Sequence, residues 1–194
     1  MQPLLTRADL LERKLCIRIH SISSYRLVNQ LFRVVSRLGD GVLWYGLLSL
    51  LALLGGLPAA KAMLHVGLTA LLGVVVYSYL KNRLVRQRPF ISHGEIVCRI
   101  APLDQYSFPS GHTLHAVLFT IMFVHYAPML AVVLVPFAML VALSRVVLGL
   151  HYPSDVLVGA ALGGLLAYFS LWLLPMPPLN LPGDIAHWQS SWIV

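Results

Sequence analysis

The fold is decided by residues 129–174, MLAVVLVPFAMLVALSRVVLGLHYPSDVLVGAALGGLLAYFSLWLL. Two long apolar runs, 129–147 and 156–174, flank a short connection that carries a histidine and an aspartate. Each run approaches the about 20 apolar residues that an α-helix needs to cross a bilayer. The stretch therefore predicts two antiparallel membrane-spanning helices whose polar connection lies at one membrane face.

Three earlier stretches are similarly apolar. They are residues 42–57, 62–80 and 113–127. Of the 194 residues, 58% are hydrophobic and only 11% are charged, whereas about a quarter are charged in a typical soluble domain. The mean hydropathy of +0.79 also indicates a membrane protein. We therefore expect an all-α fold: a polytopic transmembrane helical bundle of about five spans over residues 41–174, with a sixth span left open. The spacing of Gly159 and Gly163 would let a neighbouring helix approach the last span closely.

The two ends of the chain differ from this bundle. Within residues 1–40, the apolar side chains of 25–38 recur at helical spacing while arginines take the polar positions. This pattern predicts an amphipathic helix lying on the membrane surface, with a further amphipathic turn or two at 8–19. The alternative is a cytosolic helix packed on the loops. Residues 175–194, with several prolines and two tryptophans, are expected to form an irregular interfacial tail.

The charge pattern narrows the class of partner. Although the formal net charge is +7, the basic residues do not gather on one polar face with interleaved aromatic side chains, so nucleic-acid binding is not indicated. They are expected to meet phosphates and anionic headgroups instead. Only Cys16 and Cys98 are present, which excludes a disulfide framework and offers no metal cluster.

Three polar motifs stand at the ends of the predicted spans. They are Lys81-x6-Arg88-Pro89, Pro109-Ser110-Gly111-His112 and Ser144-Arg145-x5-His151-x3-Asp155. With five spans, the N-terminus, the loop 81–110 and the loop 145–155 fall on the same side of the membrane. The predicted topology therefore gathers the three motifs at one face and makes them one candidate site.

The first motif supplies cations at the exit of the second span. Lys81 offers a point charge and Arg88 a planar fork that matches phosphate oxygens. An apolar sequence tolerates such cations where an anion or water compensates them. The alternative is that both merely snorkel to the headgroups, as nearby Arg83 and Arg86 would.

The second motif opens the third span. A hydroxyl followed by glycine lets Ser110 and the backbone N–H groups at Gly111 converge on an anion at a helix N-terminus. His112 stands beside that anion and could act as a general acid, because an imidazole titrates near neutral pH. The alternative is a capping turn with a structural histidine.

The third motif places Arg145 at the end of the fourth span and pairs His151 with Asp155 four residues later. A carboxylate on one ring nitrogen fixes the tautomer so that the other nitrogen presents a lone pair. His151 is therefore a candidate nucleophile. The alternative is that Asp155 only caps the fifth helix while His151 packs in a loop.

In this order and at these spacings, the motifs resemble the signature of the type 2 phosphatidic acid phosphatase (PAP2) superfamily over about residues 80–155. The resemblance implies that His151 attacks phosphorus to form a phosphohistidine, that Asp155 orients it, and that His112 protonates the leaving oxygen. It also implies that no metal or other cofactor is needed. The implied phosphate-binding residues are Lys81, Arg88, Ser110, Gly111 and Arg145.

The expected function is metal-independent hydrolysis of the terminal phosphate of undecaprenyl diphosphate, phosphatidate or phosphatidylglycerophosphate. The alternatives are a phosphotransferase with a lipid or sugar acceptor, and a non-catalytic lipid-binding membrane protein. The partners would be the lipid phosphate and membrane lipids, with the oligomeric state left open. The loop 90–108 is expected to control headgroup access, and the role of His115 stays open.

The expected location is the inner membrane of a bacterium. All 14 lysines and arginines except Lys61 fall on the side of the candidate site, which by the positive-inside rule would be cytoplasmic. Bacterial members of the family usually present the site to the exterior. The side of the membrane therefore stays open.

Overall fold

The computed structural model describes residues 2–179, with side chains from residue 10 onward. Within that range the chain forms helices and no strand. In chain order the α-helices are α1 Gln2–Ser21, α2 Arg26–Arg37, α3 Leu43–Leu54, α4 Gly56–Leu84, α5 Pro89–Ser92, α6 Gly111–Tyr126, α7 Ala131–Val147 and α8 Pro153–Leu173. The all-α prediction is confirmed.

Four helical stretches in the described part of the chain are long and apolar enough to cross a membrane. They are Arg26–Leu54, Gly56–Ser92, Pro128–Val147 and Pro153–Leu173. The remaining predicted span, 113–127, corresponds to α6, whose 16 residues extend about 24 Å. This helix packs against α4, α7 and α8, and most of its residues are buried. A short central helix surrounded by longer ones thus forms the core of a multi-pass bundle.

The predicted boundary between the N-terminal segment and the bundle lies near residue 41. At this position the chain has a kink between α2 and α3. One π-helical turn, Leu38–Val42, joins α2 to α3, and Gly41 adopts a φ of +135° that disfavours any residue with a Cβ. The amphipathic α2 thus continues into the first apolar helix with a change of direction. Such π turns often accompany functional sites.

The close helix approach predicted at Gly159 and Gly163 is confirmed. A Cβ added at Gly159 would lie 2.5 Å from the carbonyl oxygen of Ser110, and one added at Gly163 would lie 2.2 Å from that of Leu114. The backbones of α6 and α8 are therefore in direct contact. This contact joins the start of α6 to the start of α8.

Helix α1 packs on the loops at the same end of the bundle. His20 donates from Nδ1 to the Val147 carbonyl at 2.9 Å and accepts at Nε2 from the Val97 N–H at 3.1 Å. Helix α1 thus packs on the loops through one face, while Leu11 and Leu15 stay exposed on its outer face.

The expected tail lies mostly outside the described residues, including Trp188 and Trp192. Residues 175–179 carry no helix or strand. Leu179 is buried and donates its N–H to the Tyr126 carbonyl at 2.8 Å. The described start of the tail therefore folds back on the bundle.

Candidate active site

The three motifs come together at one end of the bundle. Lys81 lies in the last turn of α4, Arg145 in the last turn of α7, and Asp155 in the first turn of α8. The backbone N–H of Ser110 donates to the carbonyl of Asp155 at 3.0 Å, which ties the second motif to the third. Charged side chains are rarely buried without a partner, yet Lys81 is only 5% exposed and the Arg145 side chain only 2%.

The histidine of the third motif lies just before α8, whose helix begins at Pro153. Its Nδ1 is 3.6 Å from Oδ2 of Asp155, beyond hydrogen-bond range but within that of an ion pair. Its Nε2 is 3.3 Å from Nη1 of Arg88. The two ring nitrogens of His151 therefore face a carboxylate on one side and a cation on the other.

Burial decides the protonation state of His151. Desolvation lowers its pKa to about 3; Asp155 opposes this shift, while the charges of Arg145 and Arg88 reinforce it. The imidazole is thus neutral at physiological pH. A neutral ring can present a lone pair toward the cations.

Asp155 is held on all sides. Its Oδ2 accepts from the Tyr152 N–H at 2.8 Å, which caps α8, and from the hydroxyl of Ser107. Its Oδ1 accepts from Nη1 of Arg86 at 2.7 Å. The carboxylate therefore does both things that the sequence left as alternatives: it caps the helix and it faces His151.

A carboxylate from the connecting loop bridges the cations of the first motif. Asp104 accepts from Nζ of Lys81 at 2.6 Å and from Nη2 of Arg88 at 2.7 Å. Partial burial would raise the pKa of Asp104, but the hydrogen bonds and charges of Lys81 and Arg88 outweigh it and lower the pKa. An anion is thus stable at this position.

Arg145 has an unused donor. Its Nη1 donates to the hydroxyl of Ser36 in α2, while its buried Nε has no hydrogen-bond partner among the described residues. A buried guanidinium N–H without an acceptor is costly unless an anion can take it. Arg145 therefore points to an anion site beside Arg88.

The second motif forms the start of α6 as the capping alternative describes. The hydroxyl of Ser110 accepts from the Thr113 N–H at 3.4 Å. A Cβ on Gly111 would crowd the ring of Tyr77 at 3.2 Å. His112 pairs through Nε2 with Asp40, which lies in the π turn after α2. The motif thus offers a helix N-terminus and an imidazole with its own carboxylate.

His115 lies outside this cluster. Its ring nitrogens are 2.9 Å from the Gly111 carbonyl and 3.1 Å from the Ala70 carbonyl, so it links α4 to α6. It does line a cavity of about 190 Å³ beside His112 and Asp104. A larger cavity of about 590 Å³ adjoins Lys61 near the opposite end of the bundle and touches none of the motif residues.

Four residues at the site were not singled out by the sequence motifs: Glu12, Asp40, Arg86 and Asp104. The prediction that Arg86 snorkels to the headgroups is wrong, because its guanidinium bonds Asp155 and Glu12; its signal in the sequence is its position two residues before Arg88. Asp40 is an isolated acid in a basic segment, and this is its only signal in the sequence.

Across residues 10–179, no group of three or more His, Cys, Asp or Glu side chains is placed to hold a metal ion.

Residues 62–177, more than half of the chain, match the family model of the PAP2 superfamily. The chain belongs to the PAP2 superfamily. A decaprenylphosphoryl-5-phosphoribose phosphatase of Mycobacterium tuberculosis is 34% identical over 132 residues, 68% of this chain and 72% of the relative. The undecaprenyl-diphosphatase BcrC of Bacillus subtilis is 32% identical over 131 residues, 66% of this chain and 67% of the relative.

The fold agrees with that of a solved PAP2 relative. The crystal structure of Aquifex aeolicus LpxE superposes with a TM-score of 0.72 at 27% identity, covering 82% of this chain and 93% of that one. The resemblance seen in the motifs is therefore confirmed. So is the prediction of a multi-pass membrane enzyme that hydrolyses phosphate groups on lipids.

Proposed function

We propose that this PAP2 protein removes the terminal phosphate of a lipid phosphate or diphosphate through a phosphohistidine intermediate. The observation that carries the proposal is the position of the buried His151, whose Nε2 lies 3.3 Å from Nη1 of Arg88 and whose Nδ1 lies 3.6 Å from Oδ2 of Asp155. The candidate substrates are undecaprenyl diphosphate, phosphatidate and phosphatidylglycerophosphate. The similarity to two phosphatases of polyprenyl lipids supports the first of these.

In the first step, the lone pair on Nε2 of His151 attacks phosphorus and the bond to the leaving oxygen breaks. His112 gives its proton to that oxygen. Lys81, Arg88 and Arg145 stabilise the negative charge on the transferring phosphoryl group. The start of α6 adds the backbone N–H of Gly111 and the hydroxyl of Ser110 to this anion site.

In the second step, water attacks the phosphohistidine and the P–N bond breaks. His112 accepts the proton of the water, and inorganic phosphate leaves. Asp40 supports this exchange because its carboxylate pairs with Nε2 of His112 and so orients the ring. The reaction therefore uses two pairs of a histidine with an aspartate, one for the nucleophile and one for the proton.

We also propose that the protein resides in the cytoplasmic membrane of a bacterium. The relatives from Mycobacterium tuberculosis and Bacillus subtilis support a bacterial source. Fractionation of cells that express the tagged protein tests the membrane. Its recovery outside the cytoplasmic membrane fraction would contradict the proposal.

Phosphate release from a panel of lipid phosphates by the purified protein tests the function. We expect turnover on at least one of the three candidates, and its loss in His151→Ala. The matched control is His125→Ala, which removes a histidine near the opposite end of the bundle, where its Nε2 lies 2.9 Å from the Met176 carbonyl. A labelled phosphoenzyme that is labile in acid and stable in base would identify phosphohistidine.

Two outcomes of this panel would contradict the proposal. Full turnover by His151→Ala would exclude His151 as the nucleophile. Transfer of the phosphoryl group to an added lipid alcohol in preference to water would identify a phosphotransferase.

A further inference from the structure

The inner face of α1 contacts the segment that carries His151. Glu12, Cys16 and His20 follow one another at intervals of four residues and so share one side of the helix. Cys16 is buried with its Sγ 4.0 Å from the carbonyl of His151, and His20 bonds the Val147 carbonyl. Helix α1 therefore packs directly against the segment 147–151, which ends at the candidate nucleophile.

Both carboxylate oxygens of Glu12 accept hydrogen bonds at this contact between α1 and the site. Oε1 accepts from the backbone N–H of Ser154 at 2.9 Å, and Oε2 accepts from Nη2 of Arg86 at 2.6 Å. The N–H of Ser154 belongs to the first turn of α8, where backbone donors lack partners within the helix. Glu12 thus binds both the start of α8 and the side chain of Arg86.

Arg86 connects Glu12 to the carboxylate that faces His151. Its Nη1 donates to Oδ1 of Asp155 and to the hydroxyl of Ser154, each at 2.7 Å. The guanidinium also lies 4.0 Å from the ring centre of Tyr152. Because Oδ1 is held by Arg86, the other oxygen of Asp155 is turned toward His151.

We propose that Glu12 and Arg86 are positioning residues for phosphoryl transfer. Arg86 fixes the carboxylate of Asp155, and Glu12 fixes Arg86, so that α1 sets the orientation of His151. The inference rests on the proposed function, in which His151 is the nucleophile. Arg86 bonds Oδ1 of Asp155, whereas His151 lies beside Oδ2.

Steady-state kinetics and inhibition by vanadate, a mimic of the transferring phosphoryl group, test this role. We expect Arg86→Gln to lower kcat by about 10- to 100-fold, by analogy with the loss of a partner that orients a metal ligand. KM and vanadate affinity should change little because Arg86 bonds Glu12, Ser154 and Asp155 and is not one of the proposed phosphate-binding residues. Lys81→Gln should instead weaken vanadate binding. Arg86→Lys should recover part of kcat, since one bond to Asp155 can be kept.

A double-mutant cycle tests whether Glu12 acts through Arg86. Glu12→Gln should lower kcat less than Arg86→Gln does, and it should have little further effect when Arg86 is already Gln. The matched control is Glu95→Gln, which removes an exposed carboxylate paired with Arg13 at 2.7 Å. That variant should keep wild-type kcat.

The pH profile of kcat separates positioning from plain stabilisation. His151 is faced by Asp155, Arg88 and Arg145, so its pKa responds to how far the charge of Asp155 is neutralised. Arg86→Gln leaves that charge less neutralised and should move the acidic limb to higher pH. Glu12→Gln leaves Arg86 freer to neutralise it and should move the limb to lower pH.

These experiments distinguish failure of the positioning role from failure of the proposed phosphatase function. Wild-type turnover that is lost in His151→Ala establishes the function. If Arg86→Gln then keeps full kcat, or loses kcat only in parallel with thermal stability and with an unmoved pH limb, the positioning role is overturned. If wild type releases phosphate from no lipid phosphate while it still binds vanadate, the proposed function fails and this inference falls with it.

Discussion

At the scale of single residues, Asp104 bonds Lys81 and Arg88, the cations that are proposed to bind the substrate phosphate. Lys81 and Arg88 are nearly buried, at 5% and 2% exposure, and both bond the same carboxylate. A carboxylate and a phosphate accept the same charge-assisted hydrogen bonds. In the proposed mechanism, substrate binding would therefore displace Asp104 or share these donors with it.

Asp104→Asn should therefore bind vanadate more tightly. Removing the competing charge should lower the inhibition constant by at least about tenfold, which corresponds to the roughly 1.5 kcal/mol of one charge-assisted hydrogen bond. The measurement is vanadate inhibition at fixed pH and salt. Glu95→Gln, a charge removal at an exposed position of the same loop, is the control. Unchanged or weaker inhibition in Asp104→Asn would show that the carboxylate does not compete.

At the scale of the helices, the contact between α6 and α8 connects packing to the site. The carbonyl of Ser110 lies directly against Gly159, and one turn further on that of Leu114 lies against Gly163. Ser110 precedes His112, and Asp155 precedes Gly159 by one turn. A change in the separation of these two helices would thus move His112 relative to His151.

Alanine at either glycine should force the helices apart. We expect Gly163→Ala to destabilise the protein by about 1–3 kcal/mol, the usual cost of overpacking. Gly159→Ala should also lower turnover, because its Cβ would press on Ser110. Thermal unfolding in detergent and phosphate release measure the two effects.

Gly164→Ala is the control for this pair. A Cβ there would meet only Cδ1 of Ile121 at 3.9 Å, an ordinary contact. Alanine also suits a helix interior better than glycine by about 1 kcal/mol. If Gly163→Ala is as stable as Gly164→Ala, then α6 and α8 are not in direct backbone contact at Gly163.

At the scale of the whole molecule, burial of His151 makes folding sensitive to acid. The pKa of His151 is lowered from 6.5 to about 3 in the folded protein. Below pH 6.5 the unfolded chain therefore binds a proton that the folded chain does not, and stability falls with pH until about 3. Burial also lowers the pKa of His20, which adds to the loss with the same sign.

Thermal unfolding in detergent across this pH window should show the loss. Each such histidine contributes a slope of up to about 1.4 kcal/mol per pH unit. His151→Gln, which keeps a polar side chain without a titrating group, should give a shallower slope than wild type. His125→Ala is the control. An identical slope in His151→Gln would show that His151 is not buried in its neutral form.

Much of the architecture could be predicted because hydrophobic length and spacing are local properties. The apolar runs specified helices, and the glycines at 159 and 163 marked a close approach. The short α6 shows the limit of this reasoning. This helix has only 16 residues, and its side chains are buried because α4, α7 and α8 pack around it. The length of its apolar run does not reveal those neighbours.

By itself the sequence determined a multi-pass helical membrane protein with the PAP2 motifs at one face. Only the tertiary structure separated Arg88, which meets His151, from Arg86, which holds Asp155, because two nearby cations look alike until their partners are known. It likewise paired Asp40 with His112 and Glu12 with Arg86. The residues of each of these last two pairs lie more than 70 positions apart in the sequence. Local sequence patterns carry no information about charges that meet only when the chain is folded.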